Sequence, residues 1–298
     1  MLAVQIDHVS KSYEGKDAVR DVSFGIPGGR VLALLGPNGA GKTSLIRMMM
    51  GITEPDSGTI TFAGHERTPD LPNRIGYLPE ERGLYRKQRV MEVLEYFAAL
   101  KGVSPADARQ RATRYLERFD LADCAEKKIE MLSKGMQQKV QLIATLLHEP
   151  ELIVLDEPMS GLDPMNTRLV KDVIREQRDA GCAVILSTHQ MFHAETLADD
   201  VVMINNGRIV LDGTIHDVRR QYSEDAVVVD AATDLRDLPT VATTTALGEH
   251  MKVCLQTGKT PRDFMADLAA HGRDCQRFEV ALTPLEDIFI QLVKEGRS

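Results

Sequence analysis

The 298-residue chain has no tryptophan, few aromatics of any kind and only four cysteines. No apolar run approaches the roughly 18–20 residues that cross a bilayer, so any membrane passage must be supplied by another chain. The start, Met1-Leu2-Ala3-Val4-Gln5-Ile6-Asp7, lacks the charged-then-apolar layout of a signal peptide, which predicts a cytoplasmic location. Cys124, Cys182, Cys254 and Cys275 are scattered, with no C-x-x-C pair and no grouping with histidine. They read as reduced structural thiols, neither a disulfide framework nor a metal site. Positive charge is not in excess either: 36 Lys and Arg stand against 44 Asp and Glu, a formal charge of −8. That balance argues against broad binding to nucleic acid or anionic lipid, and leaves room for a local basic patch. Internal repeats and low-complexity tracts are missing too. Core-forming residues are present in ordinary measure, 43% hydrophobic, in a length that suits one large domain and a smaller one.

Two elements carry the chemistry. The first is Gly36-Pro37-Asn38-Gly39-Ala40-Gly41-Lys42-Thr43, which fits G-x-x-x-x-G-K-[ST] at every position. It follows the apolar run Val31–Leu35, a predicted buried strand, and it precedes Ser44–Met50, where Leu45, Ile46 and Met49 fall at helical spacing. A glycine-rich turn between strand and helix aims backbone N–H groups and the positive helix end at phosphate oxygens. The loop through Ser44 is thus the predicted nucleotide cradle. Lys42 would reach the β- and γ-phosphates and the Thr43 hydroxyl would ligate Mg²⁺. The second element is Leu132-Ser133-Lys134-Gly135-Met136-Gln137-Gln138, followed by Leu152-Ile153-Val154-Leu155-Asp156-Glu157-Pro158, an apolar strand ending in two carboxylates.

In order and spacing these motifs resemble the nucleotide-binding subunit of an ATP-binding cassette (ABC) transporter, over roughly residues 1 to 220. The resemblance places Tyr13 against adenine, Asp156 on Mg²⁺ and Glu157 as general base for the attacking water. It also makes Ser160-Gly161-Leu162-Asp163 the D-loop and His189 the sensor of the γ-phosphate. Ser133 and Gly135 belong to the signature that faces the P-loop of a second cassette, so a dimer, read as a homodimer, is implied. Two departures stand out. Lys134 and Met136 replace the family's glycine and glutamine, and Glu80, in Gly76-Tyr77-Leu78-Pro79-Glu80, stands where a glutamine normally reaches Mg²⁺ and water. A carboxylate can still serve as a metal ligand there, at the cost of added negative charge beside the phosphates. The implied cofactors are ATP and Mg²⁺, and the implied partners are a second cassette and a separate membrane permease, with no nucleic acid. The implied location is peripheral, on the inner face of the cell membrane.

The expected fold is α/β: a P-loop NTPase cassette over 1–222 with an antiparallel β-subdomain, a RecA-like core and a helical insertion at about 84–141. In the family that insertion contacts the membrane subunit. Residues 223–298 form an expected small α+β domain, with strands at Ala226–Val229, Met251–Leu255 and Cys275–Leu282. Thr260 caps one expected helix, and Thr283-Pro284-Leu285-Glu286 opens another with an apolar stripe through Leu285, Ile288, Phe289, Leu292 and Val293. This appendage is similar to those of bacterial sodium- and drug-export cassettes. Other classes fit less well. Translation-associated ABC proteins carry two cassettes and DNA-repair members a very long coiled coil, whereas a catalytically dead binding module would not keep Lys42, Asp156, Glu157 and His189 together.

Overall fold

The computed structural model describes residues 2–65, 70–81, 83–230, 235–275 and 277–295. The chain divides into two compact units, Met1–Thr214 and Ile215–Ser298.

The alternating N-terminal segment folds as β1 (Leu2–Tyr13) and β2 (Lys16–Pro27), antiparallel, with Val4 opposite Ile26 and Ile6 opposite Phe24, all four buried. β3 (Val31–Leu35) is buried along its whole length and runs into the glycine-rich loop, from which α1 (Lys42–Met49) departs. β4 (Ser57–Phe62) returns to the free edge of β1, which gives a three-stranded layer in the order β2-β1-β4. A short α2 (Leu71–Arg74) leads into β5 (Ile75–Leu78), and the helical insertion follows as α3 (Val90–Leu100), α4 (Pro105–Arg118) and α5 (Lys134–Leu146). As its sequence announces, α4 starts at Ser104, whose hydroxyl accepts the Asp107 N–H at 3.2 Å, with Pro105 in the first turn. The chain then alternates β6 (Leu152–Asp156), α6 (Pro164–Asp179), β7 (Ala183–Ser187), α7 (Met191–Leu197), β8 (Asp200–Asn205) and β9 (Arg208–Thr214).

The six strands β5-β6-β7-β3-β8-β9 form one sheet in that order, parallel except for β9. Asn206 and Gly207, both at positive φ, make the tight turn into β9 that the Asn-Asn-Gly sequence predicts. A buried parallel sheet explains why its strands read as unbroken apolar runs. Period two divides each run between two cores. Val31, Ile153, Leu155, Val184 and Leu186 face the insertion helices and α6, whereas Leu32, Leu34, Leu152, Val154 and Ile185 face the β1-β2-β4 layer and α1.

The second unit holds α8 (Ile215–Gln221), β10 (Ala226–Asp230), β11 (Val241–Leu247), β12 (His250–Leu255), α9 (Pro261–Ala270), β13 (Arg277–Val280) and α10 (Leu285–Glu295). Its sheet runs β11-β12-β10-β13, and Phe264 and Leu268 of α9 pack on Val227, Val229, Val253 and Leu255. Thr260 and Asp263 form the reciprocal cap at the start of α9. Two features differ in detail from the expected layout. The compact units divide at Thr214/Ile215, eight residues before the expected 222/223, and α8 falls in the second unit. Its Arg219 guanidinium donates to the carbonyls of Thr283 and Leu282 at 3.1 and 3.3 Å. The sheet also has a fourth strand, β11, that the sequence did not suggest. At the third expected strand, residue 276 lies outside the described residues. The four cysteines are free; burial pushes the Cys182 thiol up to about 12, which keeps it inert at neutral pH.

Candidate nucleotide site

The parallel strands β3, β5, β6 and β7 end on one side of the sheet, where open α/β sheets bind ligands. A cavity of about 240 Å³ opens there, lined by Ala18, residues 38–44, Glu80, Asp156, Glu157 and His189. The loop that forms its floor is held by backbone bonds: Ala40 N–H donates to Pro37 O at 3.1 Å, and Gly207 N–H from the β8–β9 turn donates to Ala40 O at 2.9 Å. Two glycines permit this closeness. A Cβ on Gly36 would stand 2.2 Å from Ile204 O, and one on Gly41, at φ +113°, would stand 2.2 Å from Ala18 O.

Lys42 opens α1 and turns its ammonium back over the loop, donating to Gly36 O at 2.6 Å and Pro37 O at 3.3 Å. Burial pushes its pKa down, while Asp156, Glu157 and Glu80 pull it back up. Asp156 is buried at the end of β6. Its pKa is raised, first by burial, and the charges of Glu80 and Glu157 add to the rise against the pull of Lys42.

Glu157 is the most constrained member. Its backbone adopts φ +50°, a left-handed conformation, and its N–H donates to Ser187 O at 2.9 Å. The carboxylate accepts the Thr188 hydroxyl at 3.0 Å on Oε2, and on Oε1 the His189 N–H at 2.7 Å. The His189 Nδ1 lies 2.7 Å from the same Oε1. A buried carboxylate fixed from two sides, one oxygen on a histidine ring, is geometry suited to accepting a proton from water in the cavity.

The structure thus brings Lys42, Thr43, Ser44, Glu80, Asp156, Glu157 and His189 into one cavity with Asn38, Gly39, Ala40 and Gly41, while Gly36 and Pro37 supply the carbonyls that hold Lys42. Three expected residues lie elsewhere. Tyr13 ends β1 and stands 40% exposed beneath the Lys11 ammonium, 5.7 Å from its ring centre. Ser133 caps α5, accepting Met136 N–H at 3.2 Å, and Gly135 lies in the first turn; neither lines the cavity of its own chain. Sequence reasoning overlooked Ala18, Thr188 as the second anchor of Glu157, and Gly207 as the brace of the loop. For Thr188 there was a signal, its place directly after β7 and before His189.

The donors available to a metal are all oxygens: the Thr43 hydroxyl and the carboxylates of Asp156 and Glu80. That set suits a hard cation such as Mg²⁺. Among the described residues no group of three or more His, Cys, Asp or Glu could hold a metal by itself. The fit is therefore to an ion that takes its remaining ligands from phosphate and water.

Residues 19–160 match the ABC transporter family model, and residues 213–293 match the C-terminal domain of DrrA1-3-like ATP-binding proteins. The ABC transporter ATP-binding protein YhaQ of Bacillus subtilis (strain 168) is 37% identical over 97% of both chains. The chain belongs to the ABC transporter ATP-binding proteins. The Nod factor export ATP-binding protein I of Cupriavidus metallidurans is 32% identical over 97% of this chain and 96% of its own length. The daunorubicin resistance ATP-binding protein DrrA3 of Streptomyces coeruleorubidus is 35% identical over 76% of this chain and 73% of its own length. A solved ATP binding subunit of an ABC transporter superposes with a TM-score of 0.70 at 34% identity, covering 74% of this chain and 93% of that one. The cassette is an ATPase of the kind that is coupled to membrane transport. Such cassettes bind ATP, dimerise and work with a membrane subunit. No helix among the described residues is long and apolar enough to cross a membrane.

Proposed function

We propose that this cassette powers an export system through a separate membrane subunit, working as a dimer at the inner face of the membrane. ATP lies on the loop Gly36–Ser44, Tyr13 stacks on its adenine, and Ser133 and Gly135 of a second copy close over the phosphates. Export as the direction is supported by the likeness to the Nod factor export and daunorubicin resistance proteins and by the DrrA-like second unit. Dimerisation is supported by the placement of the signature, on a helix start outside the cavity of its own chain. It is supported also by three exposed apolar side chains beside the signature, the D-loop and the switch histidine: Met131, Met165 and Phe192 at 69%, 81% and 69% exposure. The aromatic group Tyr85, Tyr96 and Phe97 on the insertion, ring centres 5.5–6.1 Å apart, suits the membrane-subunit face.

In the reaction, Lys42 leaves the Gly36 and Pro37 carbonyls for the β- and γ-phosphates. Thr43, Asp156 and Glu80 would hold Mg²⁺, which when bound neutralises charge on the transferring phosphoryl group. Glu157 takes the proton of the attacking water, and Thr188 and the His189 N–H keep its carboxylate aimed during the transfer. The His189 ring then has the γ-phosphate within its reach.

The observation that carries this reading is Glu157 fixed by Thr188 and His189 in the cavity of Lys42. Glu157→Gln keeps the shape and removes the base. Steady-state ATP hydrolysis should fall by about 10²–10⁴-fold while ATP still binds, and ATP should then stabilise a dimer visible by light scattering. Undiminished turnover in this variant would overturn the assignment of the base.

A further inference from the structure

The wall of the phosphate cavity is unbalanced. Among the described residues, three carboxylates, Glu80, Asp156 and Glu157, line it with one ammonium, Lys42, and no other lysine or arginine. Glu157 is engaged with Thr188 and His189, and Asp156 is buried. Glu80 is different: it is exposed, and no chemistry in the proton transfer needs it. The backbone that carries it is nevertheless held. It follows β5, which is paired residue for residue with β6 from Ile75–Leu152 to Leu78–Leu155. The buried Gln141 of α5 donates to the carbonyl of Glu81 at 3.2 Å and to that of Pro79 at 3.5 Å, clasping the turn on both sides of Glu80. The clasp holds the backbone at Glu80 beside the cavity, so its carboxylate stays on a short tether at the rim.

Like charges in a partly dehydrated cavity repel strongly, and a nucleoside triphosphate without its cation carries roughly twice the charge of the metal complex. We propose that Glu80 makes nucleotide binding conditional on a divalent cation: the metal complex is admitted and the metal-free triphosphate is turned away. The two effects of the carboxylate act in the same direction. It repels the bare phosphates and it attracts the ion that accompanies the complex. The inference rests on ATP occupying the cavity of Lys42.

The test is calorimetric titration of the full chain with ATP, once in excess Mg²⁺ and once in EDTA, for the native protein, Glu80→Gln and Glu81→Gln. Glutamine matches glutamate in size at an exposed position, and binding of Mg·ATP by the variant reports that it is folded. The ratio of the dissociation constant in EDTA to that in Mg²⁺ should fall about tenfold in Glu80→Gln, chiefly through tighter binding of metal-free ATP. Glu81→Gln removes the same charge from the neighbouring residue, which does not line the cavity, and should leave the ratio within twofold of native. An unchanged ratio in Glu80→Gln overturns the proposal, as does an equal fall in both variants. Failure of the underlying reading looks different: Lys42→Ala would then bind Mg·ATP as tightly as the native protein.

Discussion

Gly41 shows how narrowly the site is built. Its φ of +113° and the 2.2 Å that would separate an added Cβ from Ala18 O leave no room for a side chain. Backbone strain of that kind costs of order 1–3 kcal/mol, and here relief would mean moving the loop away from β2. Gly41→Ala is therefore expected to lower thermal stability modestly and to weaken ATP binding by more than tenfold, measured by calorimetry on a protein shown by circular dichroism to be folded. Native-like affinity would mean that the loop adjusts freely. At this scale most of the site was legible. Lys42, Thr43, Asp156 and Glu157 announce themselves because phosphate and metal chemistry demands those side chains at fixed spacing after apolar strands. Thr188 does not, since a threonine hydroxyl acquires its meaning from register. β6 pairs with β7 so that Asp156 lies opposite Ser187, which brings the residues after the two strands, Glu157 and Thr188, within a hydrogen bond.

Among elements, α5 has the most to explain. Its Ser133 is an ordinary N-cap here, and replacing such a cap costs about 1 kcal/mol. Nothing in that role concerns the nucleotide of the same chain. If the helix start instead serves a second copy, Ser133→Arg should leave ATP affinity within about twofold of native and abolish dimer-dependent hydrolysis. Lys42→Ala should weaken ATP binding itself. Equal losses of affinity in the two variants would show that the signature does not act across an interface. Legibility of elements followed their burial pattern. The helices α4 and α9 carry caps and apolar faces that can be read directly. In α10, Leu285 and Ile288 of the expected stripe are buried and Phe289, Leu292 and Val293 half-buried. β11 hid because it is an edge strand: of Val241–Leu247 only the first residue is buried, so no alternation marks it. The residue Thr283, read as a cap, donates its hydroxyl to Tyr222 O at 2.9 Å and its N–H to Ser223 Oγ at 2.7 Å, contacts between segments sixty residues apart that spacing cannot reveal.

For the molecule as a whole, the division at Thr214 separates chemistry from appendage. Every residue assigned to the ATP site lies in the first unit, which has hydrophobic cores of its own. The second unit has an independent core around Phe264 and begins with α8, tied to the Leu282–Thr283 turn through Arg219. A truncation after Tyr222, the boundary suggested by sequence, would strand α8 without that turn. Ending the chain at Thr214 avoids this. Such a protein should bind Mg·ATP with native affinity. If the second unit supports the dimer, the plot of specific ATPase rate against protein concentration should shift to higher concentration, and ATP-bound Glu157→Gln should move from dimer toward monomer on removal of the unit. Superimposable rate curves from a folded truncated protein would assign the second unit a role outside dimer formation.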